Sequence, residues 1–461
     1  MRRVLSTACL ILVLCHQSFP PNVLADLIEA DVGRKFSLLA ESQLPLVRDY
    51  TVRHYMERLG QRIVSHLDRP EFPYQFSVLQ EPHLNAFSVP GGYIYLHSGL
   101  ILRVESEDEL AGVLGHEIAH IQGHHIVRQQ SDTKLASYSG LASMVLALIN
   151  PVLAMGASSV VAATQLTYLR QLEEEADYRG VQYMRQAGFH PHGMLSFLKK
   201  MGSEERLNAA DVPPYFRSHP LSKDRFSYLE RVLGTFKGSE IAPSNNFELE
   251  RVQAILRALH EPRLRLTAEY QQRVKENPDN PQALALLGTV LLRYNDWEQA
   301  RQFLAQASEK GVRLDRELGL AYLRLGQRDR ARMAFARQSE IDPSDADARN
   351  QLCKLFLQEG DTARAQEECR TAIELDPRLD EAYITLAQLN EQQGKSAEAR
   401  LLLAQAMVVQ GRLEAALTQY KQAAQALGPD HPETAATTKK IKEIDEVLKQ
   451  LQMQRVMGRG R

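Results

Sequence analysis

The spacing of apolar positions changes character along the chain. From Leu27 to Pro82 a helical period dominates, and Tyr50 to Leu67 places Val52, Tyr55, Met56, Leu59 and Ile63 on one side of a predicted amphipathic helix. Tyr74 to Leu79 alternates and predicts a strand. Phe87 to Leu96, interrupted by Pro90-Gly91-Gly92, predicts a strand hairpin. Ser106 then opens a long helix, with Glu109 three residues on completing a capping box. Helices separated by polar loops continue to about Phe236. The Gly-, Ser-, Pro- and Asn-bearing stretch from Lys237 to Phe247 is a linker candidate.

Beyond it the pattern repeats. Gly326, Gly360 and Gly394 share a step of 34 residues, as do Ala331, Ala365 and Ala399, and Asp342-Pro343 with Asp376-Pro377. Paired helices of that period are the tetratricopeptide pattern, with Gly in the turn, Ala at the close approach and Pro opening the next unit. A less regular unit surrounds Asn277-Pro278, Gly288 and Ala300, and Gly411 with Ala416 marks a later turn, giving about four hairpins. Such a stack forms a solenoid with a concave surface for peptides or protein partners. Lys439 to Lys449 predicts a charged amphipathic helix that caps it, and Gly458 to Arg461 a frayed end.

Composition narrows the functional classes. The 461 residues are 44% hydrophobic and 24% charged, as in ordinary globular proteins. Lys plus Arg total 55 against 57 Asp plus Glu, so no basic excess points to nucleic acid. One Trp and 7% aromatics weaken a carbohydrate-binding reading. Arg2-Arg3, the apolar run from Val4 to Cys15, and Val23 and Ala25 at the −3 and −1 positions before Asp26 have the layout of a signal peptide cleaved after Ala25. A lipidation box at Leu12 to Cys15 is the weaker alternative, because Leu14 is bulky where a small residue is normal. Export implies an oxidising compartment. Removing the leader leaves Cys353 and Cys369 in one predicted hairpin, either disulfide-bonded or two small buried thiols.

The chemistry-bearing residues sit in the helix that begins at Ser106. His116 and His120 of His116-Glu117-Ile118-Ala119-His120 lie one helical turn apart on one face, so both imidazoles reach a single Zn2+. Glu117 is then placed to take a proton from a water that the cation acidifies, which is the arrangement of a zinc peptidase. A third ligand is required. In the acidic run Glu173-Glu174-Glu175, Glu173 shares a helical face with Asp177 while Glu174 and Glu175 point about 100° and 200° away, so this pair offers one carboxylate to the metal and one to orient a ligand imidazole, an acidic solvated helix start being the alternative. His124 and His125, further along the same predicted helix, read as structural or surface residues. The hairpin offers an edge strand, at Asn85, Ala86 and Phe87, to which a substrate chain adds by main-chain hydrogen bonds. The stretch from Lys134 to Arg170 contains no charge between its ends. A lid over the cleft or a peripheral membrane contact is preferred there over a plain buried hairpin, and a spanning helix is disfavoured because Asn150-Pro151 interrupts it.

Asn85-Ala86-Phe87, Pro90-Gly91-Gly92, the His116 to His120 motif and Glu173-x-x-Ala176-Asp177 resemble the zinc metallopeptidase family that includes the CAAX prenyl proteases and the heat-shock protease HtpX. The order of leader, peptidase and repeats is similar to that of periplasmic members. The resemblance implies one Zn2+ per subunit held by His116, His120 and Glu173, with Glu117 as base and Asp177 as the partner of a ligand imidazole. It implies outer-membrane protein quality control: degrading misfolded or stalled beta-barrel proteins and assisting their assembly, including that of the lipopolysaccharide-insertion barrel, with the repeats docking on the beta-barrel assembly machinery. His219-Pro220 and Arg225 also match. In the periplasmic relatives a His at this position takes the fourth zinc site and makes the enzyme latent; a loop or packing role is the alternative. Arg225, Arg217 and Tyr215 are candidates for stabilising an oxyanion.

The expected fold is mainly α with a small sheet (α+β): a leader at 1–25, a zincin-like metallopeptidase domain at 26–240, a helical connection at 241–270, a tetratricopeptide solenoid at 271–450 and a tail at 451–461. Against the peptidase stands a reading from another class, a tetratricopeptide chaperone or scaffold whose peptidase is largely latent.

Overall fold

The computed structural model describes residues 21–129, 163–207, 215, 219–220, 223–234, 241–242 and 244–459. Arg217, most of the expected leader and most of the uncharged stretch lie outside these residues; 163–169 of that stretch open a helix.

The first part consists of α1 (Pro21–Gln43), α2 (Tyr50–Val64), β1 (Gln75–Leu79), β2 (Ala86–Val89), β3 (Tyr93–His97), α3 (Ser98–Ile101), α4 (Glu107–Gln122), α5 (His125–Gln129), α6 (Ala163–Gln186), α7 (His192–Leu207) and α8 (Lys223–Gly234). The five residues predicted to share a face of α2 are all buried. Asp49 caps α2 by accepting a hydrogen bond from the Val52 amide. Helix α1 runs unbroken through Ala25-Asp26, where the cut is expected.

The sheet has the order β1-β3-β2, with β1 and β3 parallel (Gln75 opposite Tyr93) and β2 and β3 antiparallel (Ala86 opposite Leu96). Alternation along the strands builds two cores. Phe76, Val78, Ala86, Ile94 and Leu96 face α2 and α4. Phe87, Val89 and Tyr95 face α1, where Phe36 meets the Tyr95 ring edge-on at 5.5 Å.

Ser106 caps α4 as predicted, accepting from the Glu109 amide at 3.1 Å, while the Glu109 carboxylate accepts from the Glu105 amide rather than from the cap residue. The segment read as a linker is fastened where it is described. The Ser244 amide and hydroxyl donate to Asp108, and the Asn246 carboxamide accepts from the Glu107 amide.

Helices α9 (Phe247–His260) and α10 (Arg263–Glu276) follow. Leu249, Val252, Ile255 and Leu256 of α9 belong to the same core as α2 and α4. Four hairpins come next: α11 and α12 (Pro281–Arg293, Trp297–Glu309), α13 and α14 (Asp315–Arg324, Arg328–Ile341), α15 and α16 (Ala346–Glu359, Thr362–Leu375), and α17 and α18 (Asp380–Gln392, Ser396–Val409). The periodic glycines occupy the turns with φ of 73° to 80°, and the periodic alanines are buried. Pro343 and Pro377 lie in the loops before α15 and α17 rather than at their first turns. Cys353 on α15 and Cys369 on α16 are joined by a disulfide, with Cα atoms 5.3 Å apart. The last described elements are α19 (Leu413–Leu427) and α20 (Thr434–Arg459), the latter taking in Gly458 and Arg459 of the end expected to fray, whose last two residues lie outside the described ones.

The repeats fold back onto the first part. Arg53 of α2 donates to Asp376 and to the Arg378 carbonyl, and Arg378 donates to Glu57 and to the Phe76 carbonyl of β1. His54 lies 3.0 Å from Asp342, and Arg293 pairs with Asp49. At the far end Phe36 and Leu39 of α1 pack with Val408, Tyr420 and Ile444, and Arg34 and Lys35 pair with Glu443 and Glu446 of α20. Among the described residues, no helix is long and apolar enough to cross a membrane.

Candidate metal centre

Helices α4 and α6 cross at two glycines. A Cβ on Gly115 would stand 2.8 Å from the Gly180 carbonyl, so only this pair lets the backbones come so close. The crossing brings the Glu173 to Asp177 face of α6 against the His116 to His120 face of α4, as the sequence required.

Four side chains then converge. His116 Nε2 lies 3.0 Å from His120 Nε2, 3.2 Å from His219 Nδ1 and 3.4 Å from a Glu173 oxygen. Glu173 is 3.4 Å from His120 Nε2 and 3.1 Å from His219 Nδ1. All four residues are buried. Donors at about 2.0–2.1 Å on a tetrahedral cation stand roughly 3.3 Å apart, the separation found here. Three imidazole nitrogens and a carboxylate facing one point offer four lone pairs to a cation once the rings present their unprotonated nitrogens. A borderline divalent cation such as zinc fits this nitrogen and oxygen donor set.

Each ligand candidate is held from behind. His116 Nδ1 is 3.0 Å from Asp177, whose two oxygens accept 2.8 Å bonds from Arg225 Nε and Nη2. Arg225 Nη1 also reaches Glu173 at 3.0 Å and the Pro220 carbonyl at 3.1 Å. Burial works against ionisation of Glu173, but His219, Arg225 and the two motif imidazoles hold its carboxyl well below the usual range. Asp177 is likewise kept low, against its burial, chiefly by Arg225. Burial lowers His116, yet Asp177 and Glu173 outweigh it and raise the imidazole to about 10. Without a cation this ring therefore carries the proton that a metal would displace.

Glu117 is completely buried, and neither carboxylate oxygen has a hydrogen-bond partner among the described residues. His219 Nε2 lies 3.5 Å from one of its oxygens. An orphaned buried carboxylate beside a ligand cluster fits a group that awaits a water.

The structure places the remaining sequence-predicted residues as follows. Arg225 lies behind the ligands with its guanidinium committed to Asp177 and Glu173, the geometry of an orienting cation rather than of an oxyanion donor. The Tyr215 ring lies 4.8 Å from that of His219, and its hydroxyl is pushed well above its usual pKa by burial and by Glu117. Asn85 precedes β2, which Ala86 and Phe87 open, and β2 is one of the two edge strands of the sheet.

The helix expected to carry His124 and His125 onward instead ends at Gln122. Its turn puts His124 at a φ of 51°, between Glu29 at 2.7 Å and Glu71 at 2.8 Å. His125 is thereby swung back beneath His120, with the two Nδ1 atoms 2.9 Å apart. It is the site-lining residue that periodicity missed. Gly123, three residues past the motif, was the available signal, since a glycine there marks a helix stop.

Residues 51–233 match peptidase family M48, and residues 268–317, 316–380 and 356–406 match tetratricopeptide repeat families. The chain thus carries an M48 metallopeptidase domain followed by tetratricopeptide repeats. Among named proteins it is similar to the beta-barrel assembly-enhancing protease of Escherichia coli K12, 28% identical over 286 residues that cover 60% of this chain and 58% of that one. A Vibrio cholerae protein provisionally given the same name is 32% identical over 233 residues, 49% of this chain and 48% of that one. The mitochondrial metalloendopeptidase OMA1 of Schizosaccharomyces pombe is 29% identical over 184 residues, 39% of this chain and 52% of its own. The chain spans about half the length of the curated relatives it matches.

Proposed function

We propose that the chain is a periplasmic zinc metalloendopeptidase that cleaves misfolded or stalled outer-membrane beta-barrel proteins and assists their assembly. The observation that carries this reading is the convergence of His116, His120 and Glu173 beside the unpartnered Glu117 carboxylate. The names of the bacterial relatives supply the link to beta-barrel assembly, and the signal-like start of the chain supplies the compartment.

In this reading the two motif imidazoles and Glu173 hold zinc, which supplies Lewis acidity toward a water and a peptide carbonyl. Glu117 accepts the proton of the attacking water and returns it to the leaving amine. Asp177, locked by Arg225, keeps His116 in the tautomer that presents Nε2. The outer edge of β2 aligns an extended substrate by main-chain hydrogen bonds, which suits clearance of chains of varied sequence. The repeats recruit partners of the assembly machinery.

His219 qualifies the reading. Its Nδ1 stands where a fourth ligand belongs, and a fourth protein ligand leaves a catalytic metal no open position. We propose that this arrangement is a latent state. The scaffold reading gains from the same observation, because a latent peptidase leaves the repeats as the active part. Glu117→Gln separates the two: it retains the metal ligands and loses the base. Loss of cleavage with loss of the outer-membrane phenotype supports the peptidase, and a surviving phenotype assigns the role to the scaffold.

A further inference from the structure

We propose that His125 is a positioning residue for the metal centre: it accepts the Nδ1–H of His120 and so fixes the tautomer in which His120 Nε2 faces His116, Glu173 and His219. The proposal rests on the reading of His116, His120 and Glu173 as ligands.

The geometry is specific. The two Nδ1 atoms are 2.9 Å apart, and the rings meet at 87° with centroids 4.8 Å apart. An imidazole that ligates through Nε2 carries its proton on Nδ1, so His120 donates and His125 accepts. His125 must then carry its own proton on Nε2, a buried atom 3.5 Å from Glu175 that has no hydrogen-bond partner among the described residues. Glu175 is in turn anchored by Arg128 at 3.0 Å and Arg179 at 2.8 Å.

The local backbone is built to deliver this ring. A Cβ on Gly123 would lie 2.2 Å from His125 Nε2, so a glycine there opens the space the imidazole fills. His124, in the left-handed region and clamped between Glu29 and Glu71, reverses the chain between α4 and α5. Left-handed backbone is strained at a residue with a side chain, and the two carboxylate contacts help hold it. His116 and His120 are thus held differently: the first leans on a charged carboxylate, the second on an imidazole. Partners of this kind set ligand orientation and are typically worth ten- to a hundredfold in metal affinity.

The test is zinc affinity, read by competition against a chromogenic chelator, together with the visible spectrum of the cobalt-substituted protein. Wild type is compared with His125→Ala, His125→Gln and His125→Met. The alanine variant is expected to bind zinc about ten- to a hundredfold more weakly and to show an altered cobalt spectrum. Gln, whose amide oxygen accepts the same proton, is expected to recover most of the affinity. Met fills the space without a comparable acceptor and is expected to behave as Ala, which keeps the test informative if the cavity in the alanine variant prevents folding. Wild-type affinity and spectrum in Ala or Met, or a Gln variant no better than Met, overturns the proposal. Wild-type protein that binds no zinc overturns the ligand reading beneath it, a result distinguishable from the others.

Discussion

His219 Nδ1 lies 3.2 Å from His116 Nε2, although 103 residues separate the two in sequence. The contact closes the fourth side of the ligand cluster. Removing the imidazole opens that side without touching His116, His120, Glu173 or Glu117. His219→Ala is therefore expected to raise peptidase turnover on an unfolded substrate severalfold while metal content stays at one per chain. Turnover equal to or below wild type, at equal metal content, would remove the latent-state proposal.

Asp177 and Arg225 form a fully buried pair that also braces Glu173. Deleting one member leaves its partner uncompensated, at a cost of about 3–5 kcal/mol. Arg225→Met is expected to lower the melting temperature sharply with or without metal. Asp177→Asn keeps the volume and is expected to weaken zinc binding about ten- to a hundredfold. Thermal melts of metal-free and zinc-loaded protein separate the two effects, and an Arg225→Met protein as stable as wild type contradicts the bracing role.

The raised His116 pKa has a definite sign. In the metal-free chain the ring is held at about 10, against an ordinary 6.5, so its stabilising contribution is present below about pH 6.5 and is lost as the pH rises through about 10. Metal must displace that proton. Zinc affinity is therefore expected to fall about tenfold for each pH unit lowered within this window. Calorimetric titrations at pH 8, in buffers with different ionisation enthalpies, are expected to report release of about one proton from this group. Binding with no buffer dependence contradicts the assignment.

The repeats are fastened at Gly411, where φ is 73° and a Cβ would lie 2.0 Å from the Glu41 carbonyl of α1. Gly411→Ala meets that backbone clash in addition to the left-handed penalty of about 1–2 kcal/mol. The substitution is expected to loosen α1 from α18 and α19 and to expose the α1 region to limited proteolysis, while the zinc stoichiometry stays at wild type. Protease resistance equal to wild type contradicts the fastening role.

Local physics made much of this molecule legible in advance. The buried face of α2, the Ser106 cap, the hairpin turn and the 34-residue period each depend on neighbours a few residues apart. The ligand helix was readable because an i, i+4 pair must share a face. The Glu173 and Asp177 pairing followed from the same rule, though nothing local dictates the Gly115 and Gly180 crossing that delivers it. What was hidden depends on contacts across the chain. The reversal at His124 is held by Glu29 and Glu71, 95 residues before it in the first case, and without it His125 reads as an outlying surface residue. Arg225 carries a charge suited to an oxyanion, and only the packed structure commits it to Asp177. The return of the repeats onto α1 and α2 rests on ion pairs such as Arg53 with Asp376, 323 residues apart, which no periodicity announces.

The proposed chemistry depends on one bound cation, so the most direct measurement is the metal content of the purified chain by inductively coupled plasma mass spectrometry, beside that of His116→Ala. We expect close to one zinc per wild-type chain and almost none in the variant. A wild-type chain that carries no metal and takes up none on incubation with zinc, or a His116→Ala chain that carries as much as wild type, would contradict it.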